Sequence, residues 1–274
     1  MNRRLLLHSV VPLALMAFAG TANAQARTLY ATDGYGPSAN GLYGIQSGAV
    51  TSTFATGSNS AYALAVGSTI RTLGYCCNLS GTEYTLGGTV IGSTAVNGNT
   101  SYGFYDGTSD GTSNYAVGYG SGQVFRAGLD WSGLTPLFSL ASTSILGSTY
   151  DSRNNTLWFS TYGSGGSETI FQYALNGTLL SSFNVSIGGS GAAALAYDAA
   201  DQTLWMSNYD DTGTIFQYDQ AGNQLASVTL SGTYGGYLLG GEFATTATPE
   251  PASLMLLGTG LLGVAGVVRR KRKA

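Results

Sequence analysis

Tyr150-Asp151, then Thr156-Leu157-Trp158-Phe159-Ser160, then Thr169-Ile170-Phe171-Gln172-Tyr173 returns as Tyr197-Asp198, Thr203-Leu204-Trp205-Met206-Ser207 and Thr214-Ile215-Phe216-Gln217-Tyr218. Two segments that agree in order and nearly in spacing are a duplication. Working outward, Tyr84-Thr85-Leu86-Gly87-Gly88-Thr89-Val90-Ile91 parallels Tyr173-Ala174-Leu175-Asn176-Gly177-Thr178-Leu179-Leu180. Gly88, Gly133, Gly177 and Gly222 then stand 45, 44 and 45 residues apart, with Gly48 a looser first member. A period near 40–45 residues with four short strand signals per unit is the signature of a β-propeller blade. Gly, Ser and Thr are abundant, but 18 Tyr, 10 Phe and 3 Trp favour pleated strands over disorder.

Each unit reads as strands A to D. Strand A ends in a Tyr-Asp pair (Tyr105-Asp106, Tyr150-Asp151, Tyr197-Asp198), B carries Leu-Trp, C carries Ile-Phe-Gln-Tyr, and D follows the glycine turn. The chain enters in mid-blade, because Leu29-Tyr30-Ala31-Thr32 resembles B and Gly41-Leu42-Tyr43-Gly44-Ile45 resembles C, with no A ahead of them. Tyr237 to Phe243 is an A strand with nothing after it, so its pairing with the first blade closes the ring and hides the sheet edges. The expected fold is therefore all-β, a propeller of five four-stranded blades over residues 25–247. The Gly-rich stretch Ser93 to Ser113 is where an extra or missing hairpin would hide.

The shared residues have a structural explanation. Each Tyr-Asp pair positions an A–B turn through Asp hydrogen bonds, and each Trp fills the space between blades. The aromatic C strands read as blade packing rather than as a platform for sugars.

The ends are targeting segments. Asn2-Arg3-Arg4, the apolar run Leu5 to Gly20 and the small-x-small site Ala22-Asn23-Ala24 form a secretory signal over residues 1–24, cleaved between Ala24 and Gln25. Between Gln25 and Ala247 four arginines face thirteen acids, a formal charge of −9, which opposes nucleic-acid binding. The one histidine, His8, lies in the leader, and both lysines, Lys271 and Lys273, lie in the tail. The body thus has no imidazole for a Ser-His-Asp triad or a histidine-bound zinc, and no lysine for Schiff-base chemistry.

Carboxylates, hydroxyls and one cysteine pair remain. Cys76-Cys77 are the body's only cysteines. They form either a strained vicinal disulfide, since adjacent Cα atoms lie about 3.8 Å apart, or two buried or free thiols. Asp198, Asp201, Asp210, Asp211 and Asp219 concentrate acid in the last blade without calcium-loop spacing, so no metal and no cofactor is expected. Some five-bladed propellers are glycoside hydrolases with a carboxylate pair in the central funnel, for which Asp106, Asp151 and Asp198 are the candidates. Their repeated position argues for turns instead, because catalytic carboxylates need unlike environments. No catalytic residue is assigned.

Residues 248–274 form the last segment. Pro249-Glu250-Pro251 precedes the uncharged run Ala252 to Val268, about 25 Å long as a helix, and the basic stop Arg269-Arg270-Lys271-Arg272-Lys273. Flanking Arg and Lys allow such a run to span the inner membrane, with its basic end in the cytoplasm. The three parts, in this order, resemble the PEP-CTERM family. The resemblance implies sorting by an exosortase, a membrane cysteine protease, after export through the secretion translocon, in Gram-negative bacteria that make exopolysaccharide. It gives an address rather than an activity. The expectation is a non-catalytic binding or structural propeller. It is held at the inner membrane with its body in the periplasm, then released to the cell surface or matrix, where exopolysaccharide or surface proteins are its partners.

Overall fold

Strands of alternating pattern with a glycine every 44 or 45 residues can bury both faces only by stacking on one another, and the chain does so around a central axis. The computed structural model describes residues 27–34, 41–56, 61–75, 80–95, 103–163, 167–210, 213–232 and 236–244. Its strands form five antiparallel four-stranded sheets. Blade 1 is β1 (Leu29–Gly34), β2 (Gly41–Gln46) and β3 (Ala49–Ala55), with β20 (Tyr237–Phe243) added at its inner edge. Blade 2 is β4 (Ala63–Val66), β5 (Thr69–Leu73), β6 (Ser80–Thr85) and β7 (Val90–Ala95); blade 3 is β8 (Gly103–Ser109), β9 (Asn114–Tyr119), β10 (Gln123–Ala127) and β11 (Thr135–Ser139). Blade 4 runs through β12 (Ile145–Asp151), β13 (Thr156–Thr161), β14 (Glu168–Ala174) and β15 (Leu179–Val185). Blade 5 runs through β16 (Ala192–Asp198), β17 (Thr203–Asn208), β18 (Thr214–Tyr218) and β19 (Gln224–Thr229). The expected closure is present: β20 pairs with β1 from Leu29↔Phe243 to Gly34↔Tyr237, and no helix occurs among the described residues.

The periodic glycines answer two requirements at once. Gly48, Gly88, Gly133, Gly177 and Gly222 all sit in the C–D turn at positive φ (79°, 85°, 63°, 86° and 88°), a region that L side chains avoid. At four of them a side chain from strand D of the preceding blade also occupies the space of a Cβ: Phe54 at Gly88, Phe138 at Gly177, Phe183 at Gly222 and Val228 at Gly48. Each turn is therefore both a bend and a socket for its neighbour.

A second set of contacts comes from strand B, whose large side chain facing the next blade is Tyr30 in blade 1, Tyr115 in blade 3, Trp158 in blade 4 and Trp205 in blade 5. Blade 2 has Arg71 there, engaged with Glu83 at 2.6 Å. The space is filled instead by Trp131, which enters from the C–D turn of blade 3 at φ 63° and is fully buried. Trp158 is likewise 0 % exposed, packed with Phe183, Leu204, Met206 and Tyr218. Trp205 departs from expectation, being only partly buried beside Phe243. Hydroxyls lock the blades further: Ser160 donates to the Ala192 carbonyl and Ser207 to that of Leu238, at 2.7 and 3.0 Å.

Trp158→Ala is expected to cost about 3–5 kcal/mol in equilibrium unfolding, and Trp205→Ala less. Trp158→Phe recovers much of the loss, because the buried indole N–H has no acceptor. Equal costs for the two alanine variants would contradict this description of the interfaces.

Candidate functional site

The A strands begin, and the B strands end, at one end of the ring, and tyrosines gather there. Tyr237 comes from blade 1, Tyr62 and Tyr75 from blade 2, Tyr105 and Tyr119 from blade 3, Tyr162 from blade 4 and Tyr209 from blade 5. Tyr105 is one hub, with ring centroids 6.1 Å from Tyr62 in a stacked pair, 4.9 Å from Tyr75, 5.1 Å from Tyr119 and 6.3 Å from Tyr209. Tyr209 is the other, 5.6 Å from Tyr162 and 5.9 Å from Tyr237. The Tyr105–Tyr209 contact joins blade 3 to blade 5 across the axis and lids it. Tyr62 and Tyr105 are buried and rest on Leu146, Ala193 and Leu239, while Tyr162 is 38 % exposed.

Beneath this lid the axis is filled. Gly240 and Gly241 of β20 leave no room for a side chain, the first against the Tyr62 carbonyl and the second against that of Ala194. Asp106 and Glu242 occupy the same layer, both buried. Asp106 accepts from the amides of Gly107 (2.8 Å), Ser148 (3.0 Å) and Gly241 (3.1 Å), and so ties β8 to β12 and β20. Glu242 accepts from the Val66 amide at 2.7 Å, the Ser109 amide at 3.2 Å and the Thr108 hydroxyl, and so ties β20 to β4 and β8. Burial pushes Glu242 up to about 8 against the opposing pull of those three donors. Burial likewise raises Asp106 well above the usual carboxylate range, with a smaller push from the charge of Glu242.

The sequence grouped Asp106 with Asp151 and Asp198, and here the structure corrects it. Asp151 ends β12 and accepts from the amides of Arg153 and Asn154 in the A–B turn; Asp198 ends β16, accepts from Ala200 and pairs with Arg27. Asp106 lies in the middle of β8. The turn acid of blade 3 is Asp110, which accepts from the amides of Thr112 and Ser113 and the Tyr115 hydroxyl, each at 2.7 Å. The Tyr-Asp dipeptide occurs in blade 3 too early in the strand, so the carboxylate falls on the axis. Glu242 passed unnoticed in the sequence because nothing repeats it.

The acids of the last blade do not converge. Asp198 and Asp201 lie in the A–B turn, Asp219 in the C–D turn and Asp210 after β17 at the other end of the ring; Asp211 is outside the described residues. No group of three metal-ligating side chains forms among the described residues. Cys76 and Cys77 follow Tyr75 between β5 and β6 but lie outside the described residues, as do the leader with Ala22 and Ala24, Pro249-Glu250-Pro251 and Arg269 to Lys273. Among the described residues no helix is long and apolar enough to cross a membrane.

Charge separates the two ends. Asp110, Asp130, Asp151, Asp198, Asp201 and Asp219 all sit in A–B or C–D turns, opposite the tyrosines. At the tyrosine end Asp33 and Glu168 are buried, Asp210 is the one exposed acid among the described residues, and no arginine stands there among them. Strand β20 runs from Tyr237 at the tyrosine end to Phe243 at the acidic end, so the C-terminal segment leaves the ring from the acidic end.

That segment matches a known family model over residues 247–273. The chain carries a PEP-CTERM protein-sorting motif. The motif marks an exported, membrane-anchored protein that is then processed by an exosortase, and the body it delivers is the propeller. No curated protein matches the chain. Among solved structures, a chain of a nidogen/laminin complex aligns with a TM-score of 0.51 at 11% identity, covering 80% of this chain and 98% of that one. A protein of unknown function from Bacteroides caccae aligns with a TM-score of 0.45 at 10% identity, covering 75% and 73%. At such identity the first likeness is one of fold alone.

The buried acids set a pH dependence. Folded, Glu242 keeps its proton up to about 8, whereas in the unfolded chain it ionises near the ordinary value of about 4.3. In that window the folded state binds more protons, so stability is full below it, falls as pH rises through it and levels off above. The slope is at most about 1.4 kcal/mol per pH unit for one proton, and Asp106 acts in the same direction. Thermal melts from pH 4 to 9 (roughly the span between those values) should show this decline, and Glu242→Gln should flatten it. An unchanged slope in the variant would remove Glu242 as its source.

Proposed function

We propose that this PEP-CTERM protein is a non-catalytic binding module that holds uncharged segments of extracellular polysaccharide on its tyrosine end. The observation that carries this reading is the convergence of seven tyrosines from all five blades, on an end with no described arginine. Sugar rings lay their C–H faces on aromatic rings, and phenol hydroxyls bond to sugar hydroxyls. Acidic sugars would need cations that this end does not offer. Direction fits as well. The tail leaves the acidic end, and the eight residues from Thr245 to Ala252 extend at most about 3.6 Å each. The anchored body therefore sits close to the inner membrane on its periplasmic side with its tyrosines pointing away, and after processing it joins the cell surface or matrix.

The carboxylates support binding without cleavage. Asp106 and Glu242 are enclosed and consumed by backbone donors, while Asp151 and Asp198 hold turns at the opposite end. A glycosidase needs two accessible carboxyls astride one bond.

The test is a glycan array probed with the processed protein, followed by sizing of any bound polysaccharide. Tyr162→Ala and Tyr237→Ala should each weaken retention about five- to tenfold with little change in melting temperature. Retention indifferent to both variants, or shortened polysaccharide after incubation, contradicts the proposal.

Processing is tested separately by mass spectrometry of the C-terminal peptide. Surface-delivered protein should end near Pro249-Glu250-Pro251 in cells with the exosortase and retain Lys273-Ala274 without it. An intact tail on surface protein in both strains would mean permanent anchoring.

A further inference from the structure

The seam where blade 5 meets blade 1 differs from the interfaces that blades 1, 3 and 4 make with the blade that follows each. Strand D presents a phenylalanine to the next glycine turn in blades 1, 3 and 4 (Phe54, Phe138, Phe183), but in blade 5 the same place holds Val228, against Gly48. Phe183 and Val228 are equivalent by register, pairing with Ile170 and Ile215 of their own blades. At the blade 4–5 interface Phe183 covers Trp158, with ring centroids 5.9 Å apart. At the seam no strand-D ring covers Trp205, whose neighbouring ring is Phe243 of β20, edge-on at 6.0 Å. A cavity of about 410 Å³ opens there, walled by Trp205, Leu29, Ile45, Ile215, Val228 and Phe243. Its polar edge is the Arg27–Asp198 ion pair, in which the arginine side chain is 29% exposed and the aspartate 10%.

We propose that this seam cavity binds a small planar aromatic molecule of one or two rings carrying a hydroxyl group. The ring takes the position against Trp205 that a phenylalanine fills elsewhere, in a space of the size and apolar character of small-molecule sites. The hydroxyl lies at the charged edge, where it donates to the Asp198 carboxylate and accepts from Arg27, whose guanidinium has more donors than one carboxylate uses. The chain's own tail does not supply this group, since residues 245–274 contain no aromatic residue. The site lies at the acidic end, away from the tyrosines, so it stands or falls independently of polysaccharide binding.

Trp205 reports on it directly, because Trp131 and Trp158 are fully buried elsewhere. Titration of the processed protein with 4-bromophenol, whose bromine quenches indole fluorescence on contact, should give saturable quenching. Val228→Phe, which restores the missing ring, should weaken that binding at least about tenfold while keeping cooperative unfolding. Arg27→Ala should weaken it several-fold with the apolar walls intact. Quenching that rises linearly without saturation, or saturable quenching untouched by Val228→Phe, overturns the proposal. If Val228→Phe fails to unfold cooperatively, Arg27→Ala decides, and an unchanged affinity there overturns it.

Discussion

The ring depends on one pairing, that of Tyr237–Phe243 with Leu29–Gly34. It joins the two ends of the described chain and gives the first blade its inner strand. Closing so long a loop costs entropy that grows only slowly with length, so the cost is set mainly by closure itself. What offsets it is concentrated in β20: an antiparallel pairing with β1 along its length, with one register shift at Thr32/Asp33, the Gly240 amide bonded to the Thr32 hydroxyl at 3.1 Å, and the carboxyl group of Glu242 reaching two further blades. A side chain at Gly240 or Gly241 would strike the Tyr62 or Ala194 carbonyl and hold the strand off the axis.

Around that closure the blades obey one packing rule, from which blades 2 and 5 depart. The rule is a ring from strand D in the glycine socket of the next blade, with a large strand-B side chain beside it. Blade 2 breaks it with Arg71, and Trp131 restores the filling from the neighbouring turn. Blade 3 keeps it with Phe138 and Tyr115, and departs instead from the repeated strand-A pattern at Asp106, where a turn residue type has become an axial hydrogen-bond acceptor. Blade 5 breaks it at Val228, where nothing restores the filling and a cavity remains. Repetition supplies the scaffold, and each break puts a polar group or a space where the rule alone would put neither.

The two ends of the molecule are chemically distinct because the connections differ. A–B and C–D links are tight turns, where Asp accepts from amides two or three residues on, as Asp110, Asp151 and Asp219 do. B–C and D–A links are at the other end, where the strands converge on the axis and bulky rings can meet. Acid is thus a by-product of turn chemistry, while the tyrosines collect where five strand starts come together.

The sequence by itself determined the all-β class, the five blades, the closing strand and the sorting tail, because each is written as a local pattern: a repeat, an orphan strand, a motif in order. It also fixed the periodic glycines and placed Trp158 between blades. It misjudged Asp106, since a dipeptide carries no record of where its strand ends, and it took Trp205 to be as buried as Trp158, since a single chain segment does not show what packs against it. The tyrosine end was only partly legible: Tyr75, Tyr119, Tyr162 and Tyr209 stand 44, 43 and 47 residues apart at the close of strand B in successive blades, but Tyr62, Tyr105 and Tyr237 belong to other strands, and only the circular arrangement of the blades brings all seven within ring-contact distance. The Asp106–Glu242 layer and the seam cavity were decided the same way, by which strands face one another across the axis and which side chain is one ring too small, quantities that exist only once the ring has closed.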